Sequence, residues 1–175
     1  MANATVSIAS GTYTYNGSAI EPDVTVTRSY TIGGTTQTVT LAEGTDYTLE
    51  YGNNVKASAY SGATATVTIT GINNYTGTNT DATFEIAQAS VTDASVALQY
   101  NTTVFNGSSK EPTVTVSLDG NTLVKDTDYT VTYTNNTNVG TATVTIVGAN
   151  NYTDTQAKTF TITALSISEA DVVLT

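Results

Sequence analysis

The chain has 175 residues and a formal net charge of −10, with 15 acidic residues against five basic ones. It contains no histidine and no cysteine, which excludes a Ser-His-Asp triad, a Cys-His pair and an imidazole or thiolate zinc site. The charge, with Arg28 as the single arginine, sets the chain against nucleic-acid phosphates and anionic membranes, and no run of about 18 apolar residues offers a membrane span.

Threonine is the outlier in composition, at 40 residues. With valine, isoleucine and tyrosine it makes a β-biased alphabet. Met1-Ala2 is followed at once by β-type sequence, with no charged-then-apolar leader, and reads as the start of an excised fragment. Val24 and Val26 then flank Thr25 in strict alternation. An extra hairpin, without a counterpart later in the chain, is predicted from Ser29-Tyr30-Thr31-Ile32 and Gln37-Thr38-Val39-Thr40, turning at Gly33-Gly34. Tyr47, Leu49 and Tyr51 share one strand face and leave Thr48 and Glu50 on the other. Val67/Ile69 and Phe84/Ile86 follow the same period of two. Further along, Tyr129/Val131/Tyr133, Val144/Ile146 and Phe160/Ile162 repeat it. No segment sustains a helical period. One apolar face and one threonine-rich face describe antiparallel sheets packed on one side.

The later strands match the earlier ones because the chain repeats itself. Tyr15-Asn16-Gly17 with Glu21-Pro22-Asp23-Val24-Thr25-Val26 returns as Phe105-Asn106-Gly107 with Glu111-Pro112-Thr113-Val114-Thr115-Val116. Thr45-Asp46-Tyr47-Thr48 returns as Thr127-Asp128-Tyr129-Thr130, and Ala65-Thr66-Val67-Thr68-Ile69 as Ala142-Thr143-Val144-Thr145-Ile146. Asn73-Asn74-Tyr75-Thr76 returns as Asn150-Asn151-Tyr152-Thr153. The offset shrinks from 90 (26 to 116) to 76 (86 to 162), so repeat one carries insertions. The larger spans residues 28–40 and the smaller lies around residues 56–61. Residues 167–174 resemble residues 91–98, the opening of repeat two. The expected organisation is repeat one at 1–88, repeat two at 89–164, and the start of a further repeat or a C-terminal strand at 165–175. The junction at residues 87–90 has no Gly/Pro run, so an end-to-end array of limited flexibility is expected. The expected fold is all-β: two tandem immunoglobulin-like antiparallel β-sandwich domains, each of about seven strands in about 80 residues.

An aromatic-Asn-Gly turn before Glu-Pro-x-Val-Thr-Val, a Thr-Asp-Tyr-Thr strand entry, Ala-Thr-Val-Thr-Ile and Asn-Asn-Tyr-Thr together resemble the tandem immunoglobulin-like repeats of bacterial surface proteins. They are similar to the MBG/YDG-type repeats of large extracellular proteins, often from Gram-positive gut bacteria. The resemblance covers nearly the whole chain. It implies a non-catalytic spacer or adhesive module of a secreted, cell-surface or wall-anchored protein, presenting a distal adhesive or enzymatic domain. It also implies the alternative of a carbohydrate-binding or adhesin module attached to a polysaccharide-degrading or host-attachment protein. It brings no catalytic residues, and no enzyme activity, cofactor or metal is expected.

Expected partners are neighbouring repeats of the same chain and, for the alternative, a polysaccharide or host glycan. Nucleic acid and membrane insertion are not expected, and the chain is expected to be a monomer. Tyr30 and Tyr60 sit in the insertions and have no counterpart in repeat two, which makes them the candidate glycan-stacking residues. Tyr13 and Tyr15 are read as core or rim packing, because Tyr15 aligns with Phe105, and the repeated Tyr75 and Tyr152 as corner residues. Asp126 and Asp128, with Glu43 and Asp46 at the matching places of repeat one, are weak calcium candidates. Two acids are thin for a cation that wants six to eight oxygens, and a turn-capping role for Asp46 and Asp128 is the plainer reading. Lys56, Lys110, Lys125 and Lys158 do not align between repeats and are read as solvated, not as crosslinking residues.

Overall fold

A computed structural model describes residue 1 and residues 3–169 of the chain. It is all-β apart from two single turns of helix, and it divides into two compact units, Met1–Ala89 and Ser90–Thr175. The boundary lies within the stretch where the sequence repeat changes over.

Unit one holds β1 (Thr5–Ile8), β2 (Tyr13–Thr14), β3 (Val24–Ile32), β4 (Thr35–Thr40), β5 (Tyr47–Gly52), α1 (Ser58–Ser61), β6 (Ala65–Gly71), β7 (Thr78–Phe84) and β8 (Ile86–Ala87). The sheet β1-β3-β4 and the sheet β5-β6-β7 are antiparallel throughout. Their inner faces share one core, with Val26 from the first sheet beside Val67, Ile69 and Phe84 from the second. That is a sandwich-type arrangement, and none of the sheets closes on itself. Each fully buried aliphatic side chain of this kind contributes about 1.5–3 kcal/mol.

The short β9 (Ala89–Ser90) lies at the change-over. Unit two continues with β10 (Ser95–Leu98), β11 (Thr102–Val104), β12 (Val114–Leu118), β13 (Asn121–Thr122), β14 (Tyr129–Thr134), β15 (Gly140–Gly148), β16 (Tyr152–Thr153) and β17 (Thr155–Thr163). The sheets β10-β12-β13 and β11-β17-β15-β14 enclose a core of Val116, Tyr129, Val144, Ile146, Phe160 and Ile162.

One departure from an antiparallel fold recurs in both units. β2 runs parallel to β8, with Tyr13 opposite Ile86 and Thr14 opposite Ala87. β11 runs parallel to β17, with Thr102, Thr103 and Val104 opposite Thr161, Ile162 and Thr163. A strand near the entrance of each unit is thereby bonded to the strand at its exit.

The structure accounts for the shrinking offset residue by residue. The first insertion adds no new hairpin; it lengthens one that both units possess. β3 and β4 make six opposed pairs from Thr27–Thr40 to Ile32–Thr35, whereas β12 and β13 make two, Ser117–Thr122 and Leu118–Asn121. Four more pairs consume eight residues. Both hairpins turn through two left-handed residues, Gly33-Gly34 (φ 59° and 82°) and Asp119-Gly120 (φ 49° and 82°), the backbone of a tight turn matched to strand twist. The second insertion folds as α1. The remaining residue is a bulge in β7: Val67 faces Ala82 but Ile69 faces Asn79, while β15 and β17 stay in register from Gly140–Ile162 to Val147–Thr155.

At the C-terminal side, Ser166 Oγ lies 2.6 Å from Ser168 Oγ and accepts the Ser168 N–H at 3.2 Å. Ser90 and Thr92 make the same pair of bonds at 2.7 and 3.2 Å. The opening of repeat two and residues 166–168 therefore share a local conformation. Their side chains differ in burial: Val91 is fully buried, and Ile167, its match in sequence, is 88% exposed. The rest of the expected third opening, residues 170–174, lies outside the described residues.

Candidate functional site

The residues that repeat are committed to holding the fold. Tyr51 and Tyr133 donate their hydroxyls to the Pro22 and Pro112 carbonyls at 2.6 and 2.7 Å. Tyr129 donates to the Val114 carbonyl at 3.1 Å, and Tyr47 makes the matching, longer bond to Val24 at 3.5 Å. These four tyrosines tie one sheet to the other. Their phenols sit above the ordinary tyrosine pKa, first through burial and then through nearby carboxylates, such as Glu43 for Tyr47 and Asp126 for Tyr129. Sequence reasoning placed Tyr47, Tyr51, Tyr129 and Tyr133 on an inner face but missed these bonds. The signal was the pairing of Glu-Pro with a downstream Tyr-x-x-x-Tyr in both repeats.

The Asn-Asn pairs are locks of the same kind. Asn54 Nδ2 donates to the Ile20 carbonyl at 3.1 Å while the Ile20 N–H donates to the Asn54 carbonyl. Asn136 and Lys110 repeat that exchange. Asn73 and Asn150 donate to the Thr45 and Thr127 carbonyls at 2.8 and 2.7 Å. Tyr13 and Tyr15 pack against the core of unit one, and Tyr13 meets the edge of Phe84 at 5.1 Å between ring centroids. In unit two Tyr100, from a different position, meets Phe160 in the same way at 5.9 Å. Tyr75 and Tyr152 are half-buried against their cores.

The acidic residues resolve into turn caps. Asp46 and Asp128 each accept a backbone N–H four residues back, from Ala42 and Val124, at 2.8 Å. The expected match of Asp126 with Glu43 is corrected by the backbone. Asp126 (φ 63°) takes the left-handed place of Gly44 (φ 74°), and both N–H groups donate to the tyrosine carbonyl three residues on. Lys125, not an acid, stands where Glu43 does. Asp126 and Asp128 therefore shape a turn, and among the described residues no three carboxylates, histidines or cysteines gather at a point. Lys56, Lys125 and Lys158 are exposed and Lys110 is half-buried.

The insertions behave differently. Tyr30 lies on the lengthened part of β3, opposite Gln37, and is 43% exposed. Tyr60 lies on α1 and is 42% exposed. The structure does not bring the two tyrosines into one site, since Tyr30 is not among the residues that line the groove holding Tyr60. That groove has a volume of about 540 Å³, and its lining includes Tyr60, Lys56, Val55, Asn53, Asn54 and Ser61. Lys56 Nζ stands 5.6 Å from the centre of the Tyr60 ring, within cation–π range.

α1 is a pinned turn, not a loose loop. Ala57, which precedes it, is fully buried. Ser58 Oγ accepts the Ile86 N–H at 3.0 Å, the β8 group whose counterpart in unit two, Ile162, lies in β17 opposite Gly140. Gly62 closes the turn in the left-handed region, its N–H on the Ser58 carbonyl at 2.9 Å. The matching loop of repeat two, residues 135–141, lines a groove of about 380 Å³ with no aromatic and no charged residue.

Among the described residues no helix is long and apolar enough to cross a membrane. Comparisons of the chain with family models, with curated proteins and with solved structures return no match.

Proposed function

We propose that the chain is a pair of immunoglobulin-like surface-protein repeats of the MBG/YDG type, acting as a non-catalytic, load-bearing spacer of an extracellular bacterial protein. The observation that carries this reading is the parallel pair in each unit, β2 with β8 and β11 with β17. A pull applied through the chain, once past β1, reaches β2 at its N-terminal end and β8 at its C-terminal end. In a parallel pair those two ends lie at opposite ends of the ladder. All the rungs are then loaded together in shear, and none is peeled off singly. A pair of terminal strands running antiparallel would unzip one bond at a time.

The repeated side chains support the same reading. The tyrosine ties, the asparagine locks and the aspartate caps are all spent on the scaffold. The shared Ser/Thr turn at residues 90–92 and 166–168 supports the view that a further repeat opens at residue 165. Stretching the molecule between its ends tests the proposal. Two abrupt lengthening steps are expected, one for each unit, and gradual extension without steps would contradict it.

A further inference from the structure

We infer that the groove around Tyr60 and Lys56 is a binding site for a carboxylate-bearing sugar residue of an acidic polysaccharide, a role separate from load bearing. Three observations converge on it. First, the matching groove of repeat two is smaller and has no aromatic and no charged residue, so the scaffold does not require the tyrosine and the lysine that line this one. Second, its aromatic ring is exposed on a pinned turn, because α1 is anchored through buried Ala57, the Ser58–Ile86 bond and the Gly62 cap. An exposed ring on a pinned backbone offers a flat apolar face at reduced cost in lost motion.

Third, the charge of the groove is opposite to that of the molecule. The chain has 15 acidic residues and five basic ones, yet the lining contains Lys56 and no carboxylate. The ammonium stands over the ring, 5.6 Å from its centroid. A uronic or sialic acid residue has the three complementary parts: a C–H face for the ring, hydroxyls for the Asn53 side chain, and a carboxylate for Lys56. An acidic peptide has the carboxylate but lacks the rigid C–H face.

The test is a titration of the 175-residue chain with polygalacturonate and with its fully methyl-esterified form, which differ in the carboxylate alone. Sialyllactose against lactose is a second arm that separates the two sources of acidic sugar. Binding is expected to at least one acidic member, about threefold or more tighter than to its neutral partner, as suits an exposed ion pair, and weaker at high salt. Tyr60→Ala is expected to lose about tenfold in affinity, and Tyr60→Phe to keep most of it. Lys56→Gln is expected to make the acidic and neutral forms equal. Tyr30→Ala is expected to change nothing. Unchanged thermal transitions of the variants separate lost binding from lost folding.

Equal binding of acidic and neutral forms by the unaltered chain would overturn the inference. So would polyglutamate binding that Tyr60→Ala leaves intact, or no binding to any of the four saccharides.

Discussion

The two repeats carry the same scaffold and differ in what has been added to it. Inner-face residues match one for one: Val26 with Val116, Tyr47 with Tyr129, Val67 with Val144, Phe84 with Phe160. The additions in repeat one leave that set in place. The hairpin of β3 and β4 grows outward by four pairs, α1 replaces a short loop, and the bulge sits in β7 at the far side of its sheet. A dense core feels the loss or gain of a single methylene, whereas a hairpin tip or loop tolerates length. Growth is therefore confined to places where chemistry can be changed without touching the fold.

Where the core itself changes, it does so in compensated pairs. Phe84 makes its T-shaped contact with Tyr13 and Phe160 with Tyr100, rings that come from different positions in the two repeats. Asp126 does the work of Gly44 in the left-handed position, a conformation that Asp reaches more readily than most residues.

The sharpest way to break the comparison uses Val91 and Ile167, which match in sequence and local turn but not in burial. Val91→Ala is expected to cost about 2 kcal/mol through a cavity in the unit-two core. Ile167→Ala is expected to stay within about 0.5 kcal/mol. Chemical denaturation of both variants checks this; equal costs would show that residue 167 is buried as residue 91 is.

The tyrosine ties come next. Tyr51→Phe and Tyr133→Phe are each expected to cost about 1 kcal/mol, by removing the bonds to Pro22 and Pro112. Their raised pKa values make a pH prediction. The unfolded chain releases its phenol protons at the ordinary value near 10, before the folded chain does. The folded state thus binds more protons in that range. Stability should hold below about pH 10 and fall as pH rises toward the folded values. The double Phe variant should show a shallower alkaline fall; an equal slope would remove these tyrosines from the account.

Smaller still is Ser58→Ala, which leaves the Ile86 N–H without its acceptor. It is expected to cost about 1 kcal/mol or less in unit one alone. A change in the transition of unit two would contradict the placement of α1.

The alternation of Tyr47-Leu49-Tyr51 and its echo at Tyr129-Val131-Tyr133 was enough to read the strands and their inner faces. A strand with one buried face shows its period directly. The parallel pairs were not legible, because Tyr13-Thr14 and Thr102–Val104 are too short to carry a pattern, and pairing direction is set by tertiary closure. The groove was half legible. Tyr60 stood out as an unrepeated aromatic, but the nearness of Lys56 depended on a helical turn of four residues, shorter than any period can reveal. The alignment of Asp126 with Glu43 failed for a related reason: backbone conformation, not side-chain charge, defines the equivalent position there.

The central claim is that the parallel pairs bear load, and pulling the single chain between its termini tests it directly. Tyr13 to Ala87 spans 74 positions and Thr102 to Val104's partner Thr163 spans 61. At about 3.6 Å per residue, the released lengths are about 270 Å for unit one and about 220 Å for unit two. Unit one has two opposed pairs in shear and unit two has three. The account predicts two steps, the longer one first at the lower force and the shorter one at the higher force. A shorter step that comes first, or two steps at forces indifferent to these pairs, would contradict it.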